Sequence, residues 1–93
     1  MIYLDNAATT FQKPAAVQRA VMQAMRTMSS PGRGGYAAAQ QAEETLFRCR
    51  SAAAALFSVP LVEQVVFTMN ATHALNIAIK SLVRPGGRVV ISG

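Results

Sequence analysis

A single cysteine, Cys49, occurs in the chain, which excludes an intramolecular disulfide and any cysteine-based zinc cluster. No apolar run approaches the ~20 residues that cross a bilayer, and the longest, Ala52 to Phe57, is far too short. The first residues lack the basic region and apolar core of a secretory signal, which favours the cytoplasm. Charged residues are also scarce, at 14% against 52% hydrophobic residues. That balance excludes disorder over most of the chain, whose length of 93 residues allows one domain at most.

Acidic residues are few as well: the chain has four of them against nine lysines and arginines in total, which gives a net charge of +5. A basic balance of this kind is the first sign of a nucleic-acid-binding protein. The basic residues nevertheless form no run, and no aromatic side chains are interleaved with them. We therefore interpret the extra positive charges as solvated surface side chains. Alternatively, this sequence is part of a longer chain in which acidic residues elsewhere balance these charges. Neither nucleic acid nor a membrane is expected as a partner.

Three stretches have the apolar periodicity of α-helices. The first is predicted over Pro14 to Met28, and it ends before a stretch rich in glycine and proline at residues 29–35. The third is predicted from Ala71 to Val83, where apolar residues follow an i, i+3, i+4 pattern. The second is predicted over Ala37 to Phe57, with a buried face made of Ala42, Leu46, Cys49, Ala53 and Leu56.

Two short apolar runs are typical of buried strands. Val65–Thr68 precedes the third helix and Val89–Ile91 follows it. A strand, a helix and a second strand in this order predict two parallel strands joined by a crossover. Because a parallel sheet needs further strands and helices on both faces, we expect these residues to be a piece of a larger α/β protein.

The segment between the first predicted strand and the third helix is a candidate anion site. Ligands of open α/β sheets bind at the carboxyl ends of the strands, and a helix N-terminus attracts negative charge. Ala71 is small enough to let an anion approach, and the Thr72 hydroxyl offers a further donor. The alternative is that Asn70 or Thr72 only caps the helix, which the pattern alone favours. Neither a Walker sequence nor a GxGxxG sequence accompanies the segment.

Four segments follow one another in an order and spacing that resemble a known family: Tyr3–Thr10, Lys13-Pro14, Pro31–Tyr36 and Val66–Asn76. Together they resemble the N-terminal part of the class V aminotransferases, specifically the cysteine desulfurases and selenocysteine lyases. The resemblance spans essentially the whole chain. It implies a homodimeric, pyridoxal-phosphate-dependent transferase of fold type I, with a mainly parallel sheet flanked by helices. Residues 1–63 would then be an N-terminal segment with helices, and residues 64–93 the start of the large cofactor-binding domain.

The same resemblance implies two groups of site residues. Ala71, Thr72 and His73 would form the turn that holds the phosphate of pyridoxal 5′-phosphate, although His73 stands where the family usually has glutamate. That histidine is either a phosphate partner or a surface or helix-capping residue. The substrate-binding group would come from the N-terminal stretch and from the glycine-rich loop at the active-site entrance, and it comprises Asn6, Ala7, Ala8, Arg33 and Gly34.

No catalytic residue and no metal ligand is assigned within the sequence. Lys13 and Lys80 both lack the Ser-x-His-Lys-like context of the lysine that carries the family's cofactor, and Cys49 does not match the family's nucleophilic cysteine. The single histidine has no second candidate ligand nearby. The leading hypothesis is the N-terminal part of an enzyme that releases sulfur from cysteine, or selenium from selenocysteine, to give alanine, with a sulfur-acceptor protein as a further partner. The alternatives are a non-catalytic interaction module and another class V aminotransferase or lyase activity.

Overall fold

The computed structural model describes residues 1–93 and consists of three α-helices and one short 3₁₀ helix. Helix α1 spans Ala15–Thr27, α2 spans Ala37–Leu56, and α3 spans Ala71–Leu82. The 3₁₀ helix, Val62–Gln64, follows α2. The three helices predicted from apolar periodicity are confirmed, each to within one residue at either end.

Helix α1 begins directly after a proline. Pro14 is the N-cap, one position before the first helical residue, and its carbonyl accepts hydrogen bonds from the N–H groups of Val17 and Gln18. Its missing N–H costs nothing there, because the first N–H groups of a helix have no partner within the helix. The helix ends where Met28 becomes extended, its N–H still bonded to the carbonyl of Ala24.

The glycine-rich loop between α1 and α2 folds back on the start of α2. Ser29 donates its backbone N–H to the carbonyl of Ala38 at 3.2 Å, and its hydroxyl lies 2.6 Å from that of Tyr36. A Cβ atom on Gly34 would lie 2.5 Å from the ring of Tyr36, so only glycine lets the ring lie in this position. Gly32 adopts a φ of +72°, in the left-handed region that other residues rarely enter.

The chain forms no closed hydrophobic core. Its only buried residues are Ala39, Ala42 and Ala54, all on α2, which packs against the 3₁₀ helix. The accessible surface is 8415 Å², whereas a folded monomer of this mass exposes about 5200 Å². The radius of gyration is 17.5 Å, against about 12 Å for a compact domain of this length. Large apolar side chains of all three helices therefore lie open to solvent.

The two predicted strands are wrong for this structure, because the chain contains no β-strand. Val65 has extended backbone, with φ −91° and ψ 115°, but no backbone hydrogen bond joins residues 65–68 to residues 89–91 or to any other extended segment. An isolated two-stranded sheet is marginal at best, and the parallel pairing is the weaker of the two kinds. The predicted crossover is therefore absent, and a fold of type I follows from the family resemblance alone.

The predicted buried face of α2 is correct in part. Ala42 is buried, and Leu46 and Ala53 are half-buried. Cys49 and Leu56 are exposed, which contradicts the interpretation of the cysteine as a buried small side chain. Cys49 is open to solvent because it lines a groove of about 440 Å³ between α1 and α2.

None of the helices has the length and apolar character that a bilayer span requires.

Candidate functional site

The N-terminus of α3 is capped by Asn70. Its backbone is extended, with φ −166° and ψ 174°, and its side-chain Oδ1 accepts the backbone N–H of His73 at 2.8 Å. Its carbonyl accepts the N–H of Ala74 at 3.1 Å, the first hydrogen bond of the helical ladder, and also the hydroxyl of Thr68 at 3.0 Å. The capping prediction is therefore confirmed for Asn70, whose short polar side chain is among those preferred at this position.

Capping leaves several hydrogen-bond donors free at the same turn. The backbone N–H groups of Asn70, Ala71 and Thr72 have no partner, and the Thr72 hydroxyl makes no hydrogen bond. All three residues are exposed. The side-chain amide of Asn76 donates to the Thr72 carbonyl at 2.9 Å and so does not occupy the hydroxyl. The turn can therefore cap a helix and present donors to an anion at the same time.

His73 takes part in the cap through both its backbone and its ring. Its backbone N–H donates to Oδ1 of Asn70, and its ring Nδ1 accepts the N–H of Met69 in a long contact of 3.5 Å. Two donors near the helix start are thus satisfied reciprocally, as in a capping box, where the residue at this position is usually glutamate or glutamine. The contact gives a physical reason why histidine can stand where the resemblance expects glutamate. Contact of His73 with a phosphate stays a prediction.

The charge around this turn favours an anion. No aspartate or glutamate occurs between Glu63 and the end of α3. The aligned peptide dipoles of α3 add a partial positive charge at its N-terminus. No nearby carboxylate in the sequence opposes that charge.

The N-terminal stretch Asn6–Ala8 lies in an exposed turn. The turn is closed by hydrogen bonds from the N–H groups of Ala8 and Thr9 to the carbonyl of Asp5, at 3.1 and 3.4 Å. The hydroxyl of Tyr3 reaches across it to the Thr9 carbonyl at 2.7 Å.

Asn6 lines a shallow cavity of about 390 Å³ together with aromatic residues. The rings of Tyr3 and Phe11 lie 5.2 Å apart and form one side of this cavity. Neither ring is among the site residues predicted from the sequence. Their positions on either side of the Asn6–Ala8 turn are the signal that could have revealed them.

The three segments with predicted site residues are not brought together in this structure. Arg33 and Gly34 are exposed in the glycine-rich loop, and no hydrogen bond joins that loop, the Asn6–Ala8 turn and the Asn70–His73 turn. No cavity is lined by residues of more than one of them. No group of three or more histidine, cysteine, aspartate or glutamate side chains is arranged to hold a metal ion.

Comparison with known proteins finds one family model and several relatives. The family model described as "Aminotransferase class-V" matches residues 2–93. The cysteine desulfurase IscS of Neisseria meningitidis serogroup A is 33% identical over 79 residues, which cover 85% of this chain and 19% of the relative. A probable cysteine desulfurase of Streptomyces coelicolor is 34% identical over 83 residues, covering 88% of this chain and 20% of the relative.

The chain spans about a fifth of the length of the curated relatives it matches. No solved structure matches it significantly.

Proposed function

The chain belongs to the class-V aminotransferase family, and on that premise we propose that it is the N-terminal portion of a pyridoxal-phosphate-dependent enzyme that releases sulfur from cysteine and leaves alanine. The observation that carries the proposal is the set of free donors at the start of α3, at the residues that the family resemblance assigns to the cofactor phosphate. The similar proteins named as cysteine desulfurases support the choice of substrate.

The chemistry of the donor set fits a phosphate group. A phosphate dianion accepts several hydrogen bonds, and the turn offers the N–H groups of Ala71 and Thr72 together with the Thr72 hydroxyl. Ala71 has no side chain beyond Cβ to obstruct an approaching oxygen. The positive end of α3 lies at the same place. We propose that these two residues hold the phosphate and that His73 and Asn70 keep the turn in shape by capping the helix.

Pyridoxal phosphate, when bound, supplies an electron sink for chemistry at the amino-acid substrate. The residues of this chain anchor and orient that group rather than carry out bond breaking, because neither Lys13 nor Lys80 has the expected context of the cofactor lysine. A fixed phosphate limits the freedom of the ring at the far end of the cofactor, which lowers the entropic part of the barrier.

Substrate contacts are proposed for the two exposed loops. Asn6, Ala7 and Ala8 would line the substrate side of the pocket, with the Tyr3 hydroxyl holding their turn closed. Arg33 and Gly34 would lie at the entrance of the site, where a guanidinium group suits a carboxylate. Since these loops lie apart from the α3 turn here, assembly of the site requires residues 64–93 to join a larger cofactor-binding domain.

Selenocysteine is a second proposed substrate, and another class V aminotransferase or lyase activity is the alternative reaction. A homodimer, a sulfur-acceptor protein and a cytoplasmic location complete the proposal. The resemblance supports the homodimer, and the relatives named as cysteine desulfurases support the acceptor.

Product analysis with the full-length protein tests the reaction. The purified protein is incubated with pyridoxal phosphate, either cysteine or selenocysteine, a thiol reductant that reduces the released sulfur or selenium to sulfide or selenide, and a keto acid that can accept an amino group. Alanine and the sulfide or selenide are then quantified. We expect alanine and sulfide in equal amounts from cysteine. Transfer of the amino group to a keto acid without release of sulfur would replace the proposed reaction with the aminotransferase alternative. Absence of any turnover would favour the interaction module.

A further inference from the structure

Helix α1 presents two different sides. The side towards α2 carries Ala20, Ala24 and Met28, which line the groove between the helices together with Gln23. On the opposite side Arg19, Met22 and Arg26 lie along one shallow groove of about 430 Å³. These three residues are called the arginine face here. They recur at i, i+3 and i+7, and at about 100° per residue they share one side of the helix.

The two arginines of this face point away from the apolar stripe of α1, which is made of Val17, Val21 and Met25. Arg19 and Arg26 are turned about 160° and 140° from Val21, the middle of the stripe, around the helix axis. Further parts of the protein that cover the apolar stripe would therefore leave the two arginines open. Met22, with 51% of its surface exposed, lies at the border between the arginines and the stripe, about 60° from Met25.

The charge of the arginine face is not balanced within the chain. Residues 6–42 contain four basic residues and no acidic residue, and the basic residues are Lys13, Arg19, Arg26 and Arg33. The only ion pair in the structure joins Arg48 to Glu44 on α2. Both guanidinium groups of the arginine face are thus free to meet carboxylates from outside.

We propose that the arginine face is a docking surface for an acidic segment of another protein, with carboxylates at Arg19 and Arg26 and an apolar side chain at Met22. Arginine and methionine are enriched in protein interfaces, and complementary charge steers such partners together. A nucleic acid fits the surface less well. The two arginines lie about 10 Å apart along the helix, and two phosphate contacts give only weak, salt-sensitive binding.

Binding of a defined acidic peptide to the full-length protein tests this surface. The probe is a fluorescein-labelled helical peptide with glutamate and leucine on one face, and binding is followed by fluorescence anisotropy. The R19E/R26E variant is compared with R84E/R88E, which makes the same change in net charge at two other exposed arginines. Circular dichroism checks that both variants keep the native helix content. The Met22→Ser variant tests the apolar contact independently of charge.

We expect R19E/R26E to weaken peptide binding about tenfold or more, since each reversal replaces an attraction by a repulsion. The R84E/R88E variant should change it less than threefold, and Met22→Ser should weaken it measurably. Equal losses in both charge variants would show that only net charge matters and would overturn the proposal. Mixed-sequence duplex DNA or phosphatidylglycerol vesicles binding more tightly than the peptide, with the same dependence on Arg19 and Arg26, would also overturn it. So would the absence of peptide binding.

Discussion

Thr72 supplies a free hydroxyl donor at the start of α3, and its contribution can be measured. In the full-length protein we expect Thr72→Val to weaken pyridoxal phosphate binding by about one to two decades, because a hydrogen bond to a charged group contributes about 1.5–3 kcal/mol. The dissociation constant is measured by titrating the protein freed of cofactor and following its absorbance.

Thr45→Val is the matched control for this substitution. Thr45 is half-buried in the groove between α1 and α2, and its hydroxyl makes no hydrogen bond. Its replacement should leave the dissociation constant unchanged. If Thr72→Val also leaves the constant unchanged, Thr72 does not bind the phosphate.

At the residue scale, the features that could be predicted from the sequence are those that depend only on residues nearby in the sequence. Asn70 as a helix cap follows from its position just before an apolar period, and the structure confirms it. The exposure of Cys49 was not predictable, because it depends on how far α1 lies from α2. For His73 the sequence leaves open a phosphate contact or a surface or helix-capping role, and the contact of its ring with Met69 is of the capping kind.

At the element scale the cap of α3 has a measurable effect on stability. Asn70→Ala removes the acceptor of the His73 N–H, and we expect the free energy of unfolding of the full-length protein without cofactor to fall by about 1 kcal/mol. Asn70→Asp keeps an acceptor at the same position and should retain most of that stability. Urea unfolding followed by circular dichroism provides the measurement.

The aspartate variant also separates capping from anion binding. A carboxylate at residue 70 brings a negative charge to the proposed phosphate site, so Asn70→Asp should weaken pyridoxal phosphate binding while unfolding is little changed. An Asn70→Asp variant that binds the cofactor as tightly as the natural protein would place the phosphate away from this turn.

The helices and the strands differ in how far sequence determines them. Periodicity located α1, α2 and α3 to within one residue at each end, because the hydrogen bonds of a helix are local. The apolar runs at 65–68 and 89–91 have strand composition, yet a strand exists only when a second chain segment lies beside it. Val65 has an extended backbone but no strand beside it. The composition of the segment can favour the extended conformation, but it cannot supply the neighbouring strand.

At the scale of the whole molecule, exposed apolar surface is the dominant feature. The accessible area of 8415 Å² exceeds the value for a compact monomer of this mass by about 3200 Å². That excess is larger than a standard protein–protein interface, which buries about 1600 Å². Side chains such as Leu56, Met69 and Leu82 are more than three-quarters exposed. The exposed apolar side chains therefore indicate that contacts with protein outside these 93 residues cover them.

We expect residues 1–93, when produced alone, to self-associate because of this exposed surface and the unpaired extended segments. Light scattering at several concentrations should give a mass that rises with concentration above the 9.9 kDa of one chain. A single species of that mass with cooperative unfolding would contradict the expectation and would favour the interaction module over a part of a larger enzyme.

Binding of the cofactor phosphate at the start of α3 is the basis of the proposed function. It can be seen in a crystal structure of the full-length protein with pyridoxal phosphate. We expect phosphate oxygens about 2.7–3.2 Å from the backbone nitrogens of Ala71 and Thr72, with the Thr72 hydroxyl at hydrogen-bonding distance as well. A phosphate held elsewhere, with these donors bonded to water or to other parts of the protein, would contradict it.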